Sequence, residues 1–263
     1  VTVSWGRYFF KKVIVANSVA AAATGVHEVY IDQSKFKEKS LDWPEEMDLP
    51  LYYKAARTAF IDMGADLKKH PLKITPLNSK KHNINDHAYE VSTVHQDVLD
   101  GSYDLKLNPY YYNELSKYIN DPTMGDEQFI YAICAHEAIH AIEKHDAINI
   151  YSSTLVTFTV VQFLNAFQVQ LALILALQTF VFLATSAYIG RKSELRADGQ
   201  AALNPLVRAN LIAIFLAMQQ QQQRKKPAAN LIHNLFKHHP SILERKQALE
   251  EEHHKSSSPP GLD

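Results

Sequence analysis

From Ala147 to Gly190 the chain runs through 44 positions without one Asp, Glu, Lys, Arg or His. No other feature restricts the fold as much. As a single α-helix this run would extend about 66 Å, roughly two crossings of a hydrocarbon core about 30 Å thick. It is therefore expected to fold back on itself. Asn165, Gln168 and Gln170 mark the bend and leave two arms, 148–164 and 171–189. The second arm is the more apolar. The first carries Ser152, Ser153, Thr154, Thr157, Thr159 and Gln162. Two readings stand: a hairpin in a membrane, or a helical hairpin buried against a soluble domain or lying on a membrane surface. Lys144 at one end and Arg191-Lys192 at the other put positive charge on the same side of the excursion. By the bias of cytoplasmic flanks towards Lys and Arg, that side is expected to face the cytosol. A membrane-associated protein, anchored by a single hairpin or peripheral, is the expectation.

The rest of the chain reads as an ordinary folded protein. Hydrophobic residues make up 46% and charged residues 21% of the 263 positions, which argues against global disorder. A formal net charge of −1 gives no basic field for nucleic acid. Cys134 is the only cysteine, so an internal disulfide and a multi-cysteine metal cluster are both excluded. The chain starts at Val1, so a processed chain, a trimmed chain or a fragment is expected, one from which a targeting signal can be missing. Lys11-Lys12 ahead of the uncharged stretch 13–26 reads as an ordinary helix, with an anchor remnant as the sharper alternative.

Residues 1–49 read as an N-terminal extension, 50–254 as the main domain with 147–190 inserted in it, and 255–263 as a disordered tail. Leu51, Ala55, Ala59, Met63 and Leu67 recur every four residues and predict a helix ending before Pro71. Three strand-like runs follow, 72–77, 88–94 and 102–107, separated by turn-rich segments. Further helices are predicted over 111–118, from Asp126, from Lys192, from Pro205 to the run Gln219–Gln223, and after Pro240. The fold class that results is α+β, mostly helical, with a small β-sheet and a long apolar helical hairpin.

The helix from Asp126 carries His136-Glu137-Ala138-Ile139-His140. Residues i and i+4 share one helix face. Two imidazoles so placed can hold one zinc ion, and the glutamate between them can reach a water at that ion. Ile133, Ala138, Ile139 and Ile142 make this helix packable. Two histidines on a buried face need partners or a metal; two unrelated helix histidines are the plainer alternative. A histidine-rich third-ligand pattern would need glycine at 143 and histidine at 146, where this chain has Glu143 and Asp146. The third ligand is expected further on. Glu194 in Glu194-Leu195-Arg196-Ala197-Asp198 can complete a His₂Glu site, with Asp198 one turn later able to accept the outer N–H of a ligand histidine. A solvated charged face is the alternative for that stretch.

Taken together, His136-Glu137-x-x-His140 with His145 after it, an apolar insert, and Glu194-x-x-Ala197-Asp198 resemble the HtpX-type zinc metallopeptidases. These are gluzincins whose relatives include the type I CAAX prenyl proteases and the Oma-type and BepA-type enzymes. His239-Pro240 with Arg245 following is similar to that family's closing motif. The resemblance covers roughly residues 51–250. It implies a zincin-like metallopeptidase domain with one Zn²⁺ per chain, held by His136, His140 and Glu194. It also implies Glu137 as general base, Asp198 and Arg245 behind the ligands, and His239 near the metal, steadying an oxyanion or capping the ion at rest. Family members carry Asn-Ala-Phe on the substrate strand; the nearest match here is His87-Ala88-Tyr89. The implied activity is endopeptidase hydrolysis of a protein or peptide, in membrane protein quality control. The alternative is a catalytically silent membrane scaffold or chaperone that keeps the metal site.

Overall fold

The computed structural model describes residues 48–76, 92–96, 101–108, 115–119, 124–166, 171–223 and 239–257. The expectations for 1–47, for His87-Ala88-Tyr89 and the strand start 88–91, for the helix start 111–114 and for 258–263 fall outside these residues. The described residues divide into two compact units. Residues 147–189 form one; those up to 146, together with those from 190 onward, form the other.

The larger unit opens with α1, Leu49–Asp62. The Asp48 carboxylate accepts the Leu51 N–H at 3.1 Å and satisfies one of the donors that a helix start leaves open. Pro50 costs nothing in the first turn, where its missing N–H would have no partner. The helix ends earlier than the four-residue spacing suggests, because Gly64 takes φ +96° and turns the chain ahead of Leu67.

A three-stranded sheet follows, β1 (Leu72–Pro76), β2 (Ser92–Gln96) and β3 (Tyr103–Leu107), in the order β1-β3-β2. β3 runs parallel to β1, with Ile74 opposite Leu105, and antiparallel to β2, with Val94 opposite Leu105. Tyr103, Leu105 and Leu107 alternate inward, and Leu105 is fully buried. This period-two burial confirms the strand reading of this segment.

Helix α2, Asp126–Glu143, packs against α1 and β2. The Gly125 N–H is capped by Gln128 Oε1 at 3.1 Å, and Asp126 and Glu127 complement the positive end of the helix. Its buried residues include Ala132, Ala135, Ala138 and Ala141, small side chains that let neighbouring elements approach closely. Lys144 ends it in the left-handed region, φ 54° and ψ 44°. α5, Pro205–Gln223, packs against α2, and α6, Ile242–Ser257, packs against α5. Phe60, Leu105, Leu115, Leu211, Ile214 and Leu249 anchor one continuous core across these elements. Burial of each such side chain contributes about 1.5–3 kcal/mol.

The excursion 147–189 corrects an expectation. It lies within two helices, α3 (His145–Ala166) and α4 (Leu171–Ala201), but the long apolar hairpin foreseen for a membrane is not there. Among the described residues no helix is long and apolar enough to cross a membrane. The membrane-crossing hairpin, and the cytosol-facing orientation argued from its two ends, fall with it. In α3 the hydroxyls are engaged locally: Thr157 donates to the Ser153 carbonyl at 2.7 Å and Thr159 to the Leu155 carbonyl at 2.9 Å. The helix expected to start near Lys192 has no start there. α4 is continuous through Gly190 and carries the apolar run directly into the charged segment around Glu194.

Candidate metal centre

Helical spacing brings His136 and His140 to one face of α2, with Nε2 atoms 3.1 Å apart. The third group comes from α4. Glu194 Oε1 lies 3.4 Å from His140 Nε2, and Oε2 lies 3.6 Å from His136 Nε2. A tetrahedral zinc with bonds of about 2.0–2.1 Å has donor–donor edges of about 3.3 Å. The 3.1 Å between the imidazoles and the 3.4 Å from His140 to Glu194 Oε1 are close to such edges, and the second Glu194 oxygen faces His136 at 3.6 Å. His136, His140 and Glu194 form a donor set that could hold one ion, with all ligand atoms within 4.8 Å of one another.

Behind His136 lies Asp198, one turn after Glu194 on α4 and fully buried. Its Oδ1 is 2.9 Å from His136 Nδ1, close but not aligned as a straight N–H···O bond. Arg245 from α6 donates from Nε and Nη2 to the two Asp198 oxygens, both at 2.6 Å. Its Nη1 lies 3.3 Å from Glu194 Oε2. The guanidinium also sits over the Phe215 ring of α5, 4.6 Å from its centre. One arginine thus ties the carboxylate that serves as a ligand donor to the carboxylate that backs a ligand histidine.

Burial and these charges oppose each other. Burial would raise the Asp198 carboxyl, but Arg245 and His136 overcome it and hold it below the usual aspartate value. Burial likewise fails to raise Glu194, which the partners His136, His239 and Arg245 hold well below the glutamate range. For His136 burial disfavours the charged ring, yet Asp198 and Glu194 outweigh it and lift the group to about 10. His140 goes the other way: burial and the neighbouring His136 push it down to about 3. The same surroundings thus drive the two rings in opposite directions, beside a glutamate whose ionised form its neighbours favour. A divalent ion in their place meets the same buried anion.

Behind His140 stands a different arrangement. His145, the first residue of α3, is buried, and its Nδ1 lies 3.0 Å from His140 Nδ1. Its Nε2 lies 2.8 Å from Glu143 Oε2, and Arg196 Nη2 donates to Glu143 Oε1 at 3.0 Å. Burial would raise the Glu143 carboxyl, but Arg196 and His145 hold it below the ordinary value.

The sequence-derived residues divide accordingly. His136, His140, Glu194, Asp198 and Arg245 meet in one cluster. His239 Nδ1 lies 3.2 Å from Glu194 Oε1 on a ring that is 70% exposed, so it stands at the open side of the site. Contact with Glu194 raises the His239 value despite partial burial. Glu137 is half-buried one residue beyond His136, and its charge acts on both Arg245 and Cys134. Sequence reasoning missed Glu143, Arg196 and Phe215. The one signal for the first pair was His145 itself, five residues past His140. Nothing in the chain order joins Phe215 to Arg245.

The sequence matches Peptidase family M48 over residues 112–253. No curated protein matches it. Among solved structures, the fold is similar to the crystal structure of S. mikatae Ste24p, with a TM-score of 0.54 and 17% identity. The likeness covers 92% of this chain and 58% of that one, so this chain spans little more than half the length of that protein.

Proposed function

We propose that this chain, which belongs to peptidase family M48, is a zinc-dependent endopeptidase. The observation that carries the reading is the donor set: two imidazole nitrogens 3.1 Å apart and a carboxylate with one oxygen 3.4 Å from His140 and the other 3.6 Å from His136, all gathered within 4.8 Å. Nitrogen and oxygen donors with no sulfur, and one side left for water and substrate, suit zinc in a hydrolytic role. When bound there, zinc would polarise a substrate carbonyl and bring a water pKa down to about 7.

The chain's own residues do the rest. Glu137 takes a proton from the attacking water and passes it to the leaving amine. Asp198 holds the His136 ring with Nε2 towards the donor set, and Arg245 keeps Asp198 ionised while bracing Glu194. His239, exposed at the rim, donates to the oxyanion as it develops and rests on Glu194 between turnovers. Substrate peptide pairs with β2. That strand has β3 on one side and no described strand on the other, and it packs directly on α2.

Replacing Glu137 separates an enzyme from a silent scaffold that keeps the metal. Glu137→Gln is expected to retain about one zinc per chain and to lose casein cleavage by about 10²–10⁴-fold. A wild-type protein without zinc, or cleavage that survives both Glu137→Gln and a chelator, would overturn the reading.

A further inference from the structure

The two ligand histidines are not backed in the same way. We propose that His145 is a positioning residue. It accepts the outer N–H of His140 and hands the interaction on to Glu143 and Arg196, so that both imidazoles of the site are anchored to a carboxylate neutralised by an arginine. The inference deepens the zinc reading above and rests on it.

The direction of each proton follows from the contacts. His140 Nε2 faces His136 Nε2 and Glu194 Oε1, the atoms of the donor set. As a ligand it must present a lone pair there. The single proton of a neutral imidazole is then on Nδ1, 3.0 Å from His145 Nδ1. Two ring nitrogens at that distance need one donor and one acceptor, so His145 Nδ1 accepts. The proton of His145 must then be on Nε2, where it donates to Glu143 Oε2 at 2.8 Å. Glu143 accepts from Arg196 on its other oxygen at 3.0 Å. Every nitrogen in the chain has one consistent role, and no proton needs to move.

The fold enforces this contact. Lys144 adopts the left-handed backbone, uncommon for a residue with a side chain. It lets α2 stop and α3 begin one residue later, which sets the His145 ring against His140 edge to face, with centres 4.8 Å apart at 85°. His145 is only 4% exposed, so water cannot readily replace it as the acceptor. On the His136 side, the Asp198 carboxylate held by Arg245 stands 2.9 Å from Nδ1 and occupies the corresponding place with one residue fewer. Arg196 is 63% exposed, so it is the dispensable end of the chain.

The test is zinc affinity, read by competition with a chromophoric chelator, beside the visible spectrum of the cobalt-loaded protein. His145→Phe keeps a flat ring and removes both nitrogens. Its zinc affinity is expected to fall about 10–100-fold, with a shifted cobalt spectrum. His145→Asn puts an amide oxygen near the Nδ1 position and is expected to recover most of that affinity. A structural role alone would make the phenylalanine variant the better tolerated of the two. Glu143→Gln, at a partly exposed position, is expected to weaken zinc at least threefold and decides the matter should His145→Phe fail to fold. Arg196→Ala is expected to change affinity less than Glu143→Gln. Losses under threefold for both His145→Phe and Glu143→Gln, or an asparagine variant as weak as the phenylalanine one, would overturn the proposal. Wild-type protein that binds no zinc would instead sink the metallopeptidase reading.

Discussion

Removing the Asp198 carboxylate leaves a buried guanidinium without its main partner. Asp198 is fully buried and receives two charge-assisted bonds of 2.6 Å from Arg245. In Asp198→Ala, Arg245 keeps only Glu194 at 3.3 Å and the Phe215 face. Breaking a buried pair from one side costs about 3–5 kcal/mol. The remaining Glu194 contact and a cation–π contribution of about 0.5–2 kcal/mol favour the lower end, about 3 kcal/mol. For a domain of this size that is a fall in Tm of about 6–12 °C. The assay is thermal melting of chelator-treated protein, so that lost metal binding does not enter the comparison. The cost arises from the stranded charge, so Asp198→Ala combined with Arg245→Met should recover a large part of it. A single-variant cost under about 1 kcal/mol, or a double variant as unstable as the two singles added together, would refute this account of the pair.

Three further outcomes follow from local structure. Lys144→Gly should stabilise the protein by about 1 kcal/mol in denaturant melts, since glycine adopts φ 54° without the Cβ conflict. Ser241→Ala should cost about 1 kcal/mol, because Ser241 Oγ accepts the Glu244 N–H at 3.2 Å while Glu244 accepts the Ser241 N–H at 2.7 Å. The bonds to Ser241 hold Glu244 below its usual value of 4.5, so the difference from wild type should be full above that pH and shrink as acid protonates Glu244. Tyr131 is raised to about 12, by burial and then by its bond to Asp62 at 2.7 Å. Ultraviolet titration against Tyr131→Phe should show this phenol ionising late. Its contribution to stability should be intact below about pH 10 and lost as the pH rises through 12.

Short-range order carried much of this protein into view from the chain alone. A helical repeat of 3.6 residues puts His136 and His140 on one face wherever the helix sits, and this was legible without tertiary knowledge. So were the start of α2 after Gly125 and the β3 strand with its alternating Tyr103, Leu105 and Leu107. The apolar excursion was misread for a related reason. Hydropathy summed along a segment records the absence of charge, but does not register that α4 continues unbroken into Glu194 and Asp198. Chain order alone could propose Glu194 and Arg245, but only the packing of α2, α4, α5 and α6 could bring them together. Contacts across 47 residues between Asp198 and Arg245, or 53 between Glu143 and Arg196, depend on how whole elements dock. Such docking is decided by side chains meeting in three dimensions, and no local periodicity encodes it. The same limit hid the chain behind His140. Its residues are near neighbours in sequence except for Arg196, yet the turn at Lys144 had to be in place before His145 could meet the ring it supports.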